Sequence, residues 1–175
     1  MSEELKYPIG KFKPTDYTAE NLTAAIADIA FLPEDLERAL AQLDEWQLQT
    51  PYREGGWTVH QLVHHIADSH MNAFIRTKLA LTEDHPTLKA YDENVWSELP
   101  DVQQAPVNIS VTLLHALHRR WVLLLKNISP DDLEKTIFHP VSQRDMSVWF
   151  LITLYAWHGK HHVAHINSLR NRNQW

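Results

Sequence analysis

Trp57-Thr58-Val59-His60-Gln61-Leu62-Val63-His64-His65-Ile66-Ala67-Asp68-Ser69-His70 carries a helix start and a helix stripe in one run. Thr58 followed by Gln61 matches a capping box, in which the hydroxyl takes an amide one turn on and the glutamine reaches back. Val59, Leu62, Val63 and Ile66, continued by Phe74, recur at helical spacing to about Leu81. The chain to either side repeats the pattern. An Ala-rich stretch from about Thr18 to Ala30 favours helix, and Pro33 fits the first turn of a continuation that carries Leu36, Leu40 and Leu43 and ends before Thr50-Pro51. A third run over about 108–127 turns Val111, Leu114, Leu117, Trp121 and Leu125 inward. Ser147 is placed to cap a last helix running to about Arg170, with Leu151, Leu154, Tyr155, Ile166 and Leu169 buried.

Four such runs predict one all-α domain over residues 1–175, a four-helix bundle with a short N-terminal arm (1–17). The connection between the second and third helices, about 83–107, is long for a compact domain, which points to a functional segment. Ser129-Pro130-Asp131-Asp132 reads as a capped short helix, and Phe138 to Met146 as irregular or briefly extended chain. Strand alternation is weak throughout.

Composition narrows the function. A formal net charge of −6 argues against a nucleic-acid partner, because phosphate binding needs a basic face. The absence of cysteine excludes disulfides, thiolate metal sites and a cysteine nucleophile. No apolar run approaches membrane-spanning length, and Met1-Ser2-Glu3-Glu4-Leu5-Lys6 lacks an apolar signal core. A cytoplasmic protein with no membrane partner is expected.

Histidine is unusually frequent, with 12 copies. The last helix holds two pairs at one-turn spacing, His158/His162 and His161/His165, and the middle helix offers His64, His65 and His70. A pair four apart sets two imidazoles on one helix face, which suits a metal ion bound between helices. At about 100° per residue, His70, His158 and His162 fall near the centre of the apolar stripes, while His65 and His161 lie on the flanks. Spacing makes a metal site the expectation and leaves the choice of ligands open.

The residues from Trp57 to Asp68, a tryptophan eight positions before a histidine with an Ile-Ala-Asp tail, resemble the first signature of the DinB superfamily. His161-His162-Val163-Ala164-His165-Ile166 is similar to its second, a His-x-x-x-His pair late in the last helix. The likeness is closer to the YfiT branch of metal-dependent hydrolases, which includes bacillithiol transferases. It extends over Tyr7-Pro8-Ile9-Gly10, Thr50 to Val59, His64 to Asn72, Tyr91-Asp92-Glu93, Trp96 to Leu99 and Tyr155 to His158. The resemblance implies a four-helix bundle, a homodimer, and a divalent metal, zinc or nickel, held by three histidines. On this chain those are His65, His161 and His165, with His64, His158 and His162 standing as rivals.

Three neutral imidazoles leave coordination positions open, as in a catalytic site. Such an ion can activate water for hydrolysis of a small molecule, or hold a low-molecular-weight thiol as thiolate for transfer. A non-catalytic metal-binding or sensing bundle is the reading from another class. Asp68, three residues after His65, is the candidate to support a ligand or accept a proton. Asn72 and Arg76 extend the same face toward a polar substrate, Tyr91, Asp92, Glu93 and Trp96 are placed to cover the site, and Trp57 to plug the bundle end.

Overall fold

The computed structural model describes residues 3–175; Met1 and Ser2 of the expected arm lie outside the described residues. The bundle is made by α2 (Ala19–Leu40), α4 (Val59–Thr82), α7 (Val107–Leu125) and α9 (Val148–Asn173). Short helices fill the arm and connections: α1 (Glu3–Lys6), α3 (Glu45–Leu48), α5 (Glu93–Trp96), α6 (Pro100–Gln104) and α8 (Pro130–Glu134). The segment expected to be irregular is a hairpin of β1 (Thr136–His139) and β2 (Arg144–Ser147), with Ile137 opposite Met146. Strands of four residues are too short to show a period in sequence.

The capping signals work as read. The Gln61 amide donates to Thr58 Oγ1 at 3.1 Å, and the Thr58 amide donates to Gln61 Oε1 at 3.0 Å. Ser147 caps α9 by accepting from the Phe150 amide at 3.0 Å. Pro33 does not restart a helix; it sits buried inside an unbroken α2. Proline has no N–H, so the carbonyl one turn back loses its helical donor. That carbonyl belongs to Ile29, and His118 Nδ1 on α7 bonds it at 2.5 Å. The expected run to Thr50 stops at Leu40, two residues before Gln42 takes a left-handed backbone (φ 65°), and Asp44 caps α3.

Two apolar cores share the bundle. One gathers Leu36, Leu62, Val63, Ile66, Leu114 and Ile166. The other gathers Phe74, Trp121, Leu125, Ile137, Leu151 and Ile152. On α4 the first core ends at Ala67 and the second begins at Ala73. On α9 the second ends at Ala156 and the first resumes at Val163. Histidines 70, 158, 161 and 162 fall in that gap, so the two cores hold a polar layer between them. Gly159 lets α9 approach α2 there, since an added Cβ would lie 2.6 Å from Leu32 Cδ2.

The long connection is tied to α4. His60 Nε2 bonds the Val102 carbonyl at 2.7 Å, and Gln61 Nε2 donates to Glu98 Oε1 at 2.9 Å. His64 Nε2 donates to the Ala105 carbonyl at 3.0 Å, while its Nδ1 accepts from the Ser110 hydroxyl at 2.7 Å. Among the described residues, no helix is long and apolar enough to cross a membrane.

Candidate metal centre

His65 projects from α4 and His158 and His162 from α9, and their ligand nitrogens lie within 4.8 Å of one another. His158 Nε2 and His162 Nε2 face each other at 3.0 Å. The His65 ring stands 5.1 Å from that of His162 and 5.5 Å from that of His158. Behind His158, its Nδ1 meets His70 Nε2 at 3.2 Å. His70 is fully buried and stacks on His118 at 4.9 Å.

A second group within 4.8 Å consists of His161, His162 and His165, all buried. His161 Nε2 and His165 Nε2 are 3.1 Å apart. Here aromatic rings close in: Trp157 stacks on His161 at 4.4 Å, and Tyr52 lies 4.3 Å from His165.

The structure therefore divides the trio implied by the resemblance. His161 and His165 come together with His162, whereas His65 joins His158 and His162. Helix geometry is the reason. The two pairs on α9 are offset by three residues, about 300° of rotation, so they point some 60° apart. The centre of the apolar stripe, where His158 and His162 lie, is the face turned toward α4. His64 stands apart from both groups, with its nitrogens bonded to the Ser110 hydroxyl and the Ala105 carbonyl.

Burial holds these imidazoles neutral. It lowers His65 and His161 to about 4 and His165 to about 3, and keeps His70, His158 and His162 well below the usual histidine value. Neutral imidazole is the ligating form. His162 Nδ1 is buried without a hydrogen-bond partner. If His158 Nε2 offers its lone pair, its proton sits on Nδ1 and is donated to His70 Nε2. A set of imidazole donors suits zinc, nickel and their neighbours rather than magnesium or calcium. The residues present fit a divalent ion.

His65, His158, His161 and His162 open onto a cavity of about 480 Å³, within the usual size range of small-molecule sites. Trp57, Tyr91, Tyr155 and Trp157 form its aromatic walls, and Arg76, Glu93 and His139 its polar ones. Trp57, expected to plug the bundle end, lines this cavity with its ring 4.5 Å from that of His65. The connection contributes Tyr91, which packs on Trp96 at 4.2 Å. Asp68 does not line this cavity; it is half-buried, and burial followed by the Asp101 charge raises its carboxyl to about 6. Lys160 is paired with Asp28 at 2.5 Å. Sequence reasoning missed Tyr155 and His139 as cavity residues. Tyr155 carries a signal, one turn before His158, and His139 carries none.

Fold and site together define an all-α bundle with a histidine-lined cavity between two of its long helices. The chain belongs to the DinB superfamily, whose model matches residues 29–166. It is 52% identical over 174 residues to a protein of Bacillus mycoides (strain KBAB4) named "Putative metal-dependent hydrolase", covering 99% of both chains. A protein of the same name from Bacillus cereus (strain ATCC 10987 / NRS 248) is 51% identical over 173 residues, 98% of this chain and 99% of that one. The fold matches YfiT from Bacillus subtilis with a TM-score of 0.96 at 42% identity, over 98% of this chain and 99% of that one. YfiT is described as a probable metal-dependent hydrolase with an unusual four-helix bundle topology.

Proposed function

We propose that this protein is a metal-dependent hydrolase of a small molecule, with a divalent ion, zinc in first place and nickel in second, held by His65, His158 and His162. One observation carries the reading: three neutral imidazoles from two helices converge at the wall of a cavity large enough for a small molecule. The names of the relatives support it. When bound, the ion supplies Lewis acidity, which lowers the pKa of what it holds.

The chain supplies the rest. His70 orients His158 by the 3.2 Å bond to its Nδ1. Trp57 and Trp157 flank the histidines and keep bulk water from them. Tyr91, its hydroxyl raised to about 12 chiefly by burial, stays protonated and can donate a hydrogen bond to a substrate.

The same cavity has room for a thiol beside an electrophile, so thiol S-transfer is the second reading. Phe31, Ile109, Leu113 and Leu123 are 41–61% exposed on α2 and α7, which supports a homodimer through that face. A cytoplasmic location completes the proposal.

Titration of metal-free protein with zinc and nickel tests the centre, and one ion per chain is expected. Absence of stoichiometric binding would sink it. Assay of the loaded protein against ester, amide and epoxide panels, with and without added thiol, separates the two reactions. Turnover only with thiol would replace hydrolysis by transfer.

A further inference from the structure

Arg76 lies on α4 in the wall of the histidine cavity. Its contacts are with neutral groups. Nη1 donates to the Tyr155 hydroxyl at 3.3 Å, Nη2 donates to the Lys89 carbonyl at 3.3 Å, and the guanidinium lies 5.8 Å from the Tyr91 ring centre. Nε is buried without a hydrogen-bond partner. Among the described residues no carboxylate forms an ion pair with Arg76. The ion pairs of other cations run Lys11–Glu3, Arg38–Asp35, Lys135–Asp132 and Lys160–Asp28. A guanidinium has five N–H donors, and two are used here.

The surroundings make this cation unusual. Arg76 and Glu93 are the charged side chains of the cavity wall, the histidines being neutral. Glu93 is exposed on α5, at the rim. The Arg76 charge is felt inside: His139 is lowered first by burial and then by Arg76. Tyr155 links the two ends of the cavity, with its hydroxyl on Arg76 and its ring 5.5 Å from that of His158. A partly buried cation with free donors and no counterion is a binding element for a planar anion.

We propose that Arg76 forms a carboxylate subsite, so that the substrate carries a carboxylate at the end opposite the group that reacts beside His65, His158 and His162. This rests on the metal reading above. A monoanion seated on the guanidinium, with Tyr91 and Tyr155 against its chain, would fix the reacting group toward the histidines. The cavity then selects acidic substrates over neutral ones of the same shape.

The test uses full-length zinc-loaded protein and the monohydroxamates of succinic, glutaric and adipic acids. Each is compared with the matching compound whose far carboxylate is an amide. The hydroxamate anchors each probe, and the chain length scans the distance to Arg76. By calorimetry, the acid of at least one length is expected to bind about tenfold more tightly than its amide, the size of one charge-assisted bond. Arg76→Gln should abolish that preference and Arg76→Lys should keep part of it, with zinc affinity unchanged in both. Equal binding of acid and amide at every length in the unmodified protein overturns the subsite, and no variant is needed to see it. So does a preference that survives in Arg76→Gln. Failure to bind zinc would overturn the metal reading and the subsite with it, whereas zinc binding without charge preference overturns the subsite alone.

Discussion

The two histidine pairs of α9 share one spacing and meet different surroundings. His158 and His162 face α4, where His65 completes a group at the cavity wall. His161 and His165 turn about 60° away, and His165 is 3% exposed against Tyr52. One-turn spacing creates a pair of donors. Rotation about the helix decides which partners each pair meets: His158 and His162 meet His65 across from α4, while His161, which also reaches the cavity, is paired with His165 against Tyr52.

Removing single imidazoles breaks the comparison most sharply. His162 belongs to both groups, so His162→Ala should weaken zinc binding by at least about 100-fold, read by competition with a chromophoric chelator. His158→Ala should do nearly as much. His165→Ala should cost less than about tenfold, because His65, His158 and His162 stay whole. The reverse order for His158 and His165 would move the ion to His161, His162 and His165.

His70 supplies the next largest effect. It does not line the histidine cavity and acts through His158. His70→Leu removes the bond that fixes the His158 ring and should weaken zinc binding by about tenfold or more. The substitution also leaves the buried His158 Nδ1–H without an acceptor, so the unfolding free energy in urea is measured beside the affinity. Unchanged affinity would show that His158 is oriented by packing alone.

Much of this was legible in sequence because it was local. Thr58 with Gln61, Ser147 and the leucine stripes act within a turn or two of themselves, and they marked the bundle helices. The helical angle placed His70, His158 and His162 together at the centre of the stripes, and the structure brings those three into contact. The signature adds His161 and His165, the second of two His-x-x-x-His pairs within eight residues, and the structure gathers these with His162. His139 was illegible for a different reason. It reaches the cavity by a hairpin whose position depends on backbone bonds between Phe138 and the distant Pro86 and Leu88. No pattern along the chain encodes that.

Two neighbours on α4 extend the contrast from ligand to scaffold. His65 faces the cavity, and His64 one residue earlier clamps the connection through Ser110 and the Ala105 carbonyl. His64→Leu leaves both groups without a partner and should cost about 2–3 kcal/mol of unfolding free energy in urea. Zinc affinity should hold. A stable variant that lost zinc would instead make His64 a ligand.

The smallest effect comes from charge, and it carries two opposite signs. The histidines of the polar layer have lowered values in the fold, so the unfolded chain takes up protons first, near pH 6.5. Metal-free protein should therefore lose stability as pH falls from about 6.5 toward 4, the value to which burial lowers His65, His118 and His161. Asp68 works against this slope. Burial and Asp101 raise it to about 6 from 3.8, so between those values the fold keeps a proton that the unfolded chain has released. Its contribution is favourable at the acid end and is lost as pH rises through 6. Asp68→Asn should thus gain about 1 kcal/mol at pH 7, after allowance for partial exposure, and almost nothing at pH 4. The acid slope of the variant should be correspondingly steeper. An equal gain at both pH values would mean that the carboxyl titrates normally and that Asp101 does not reach it.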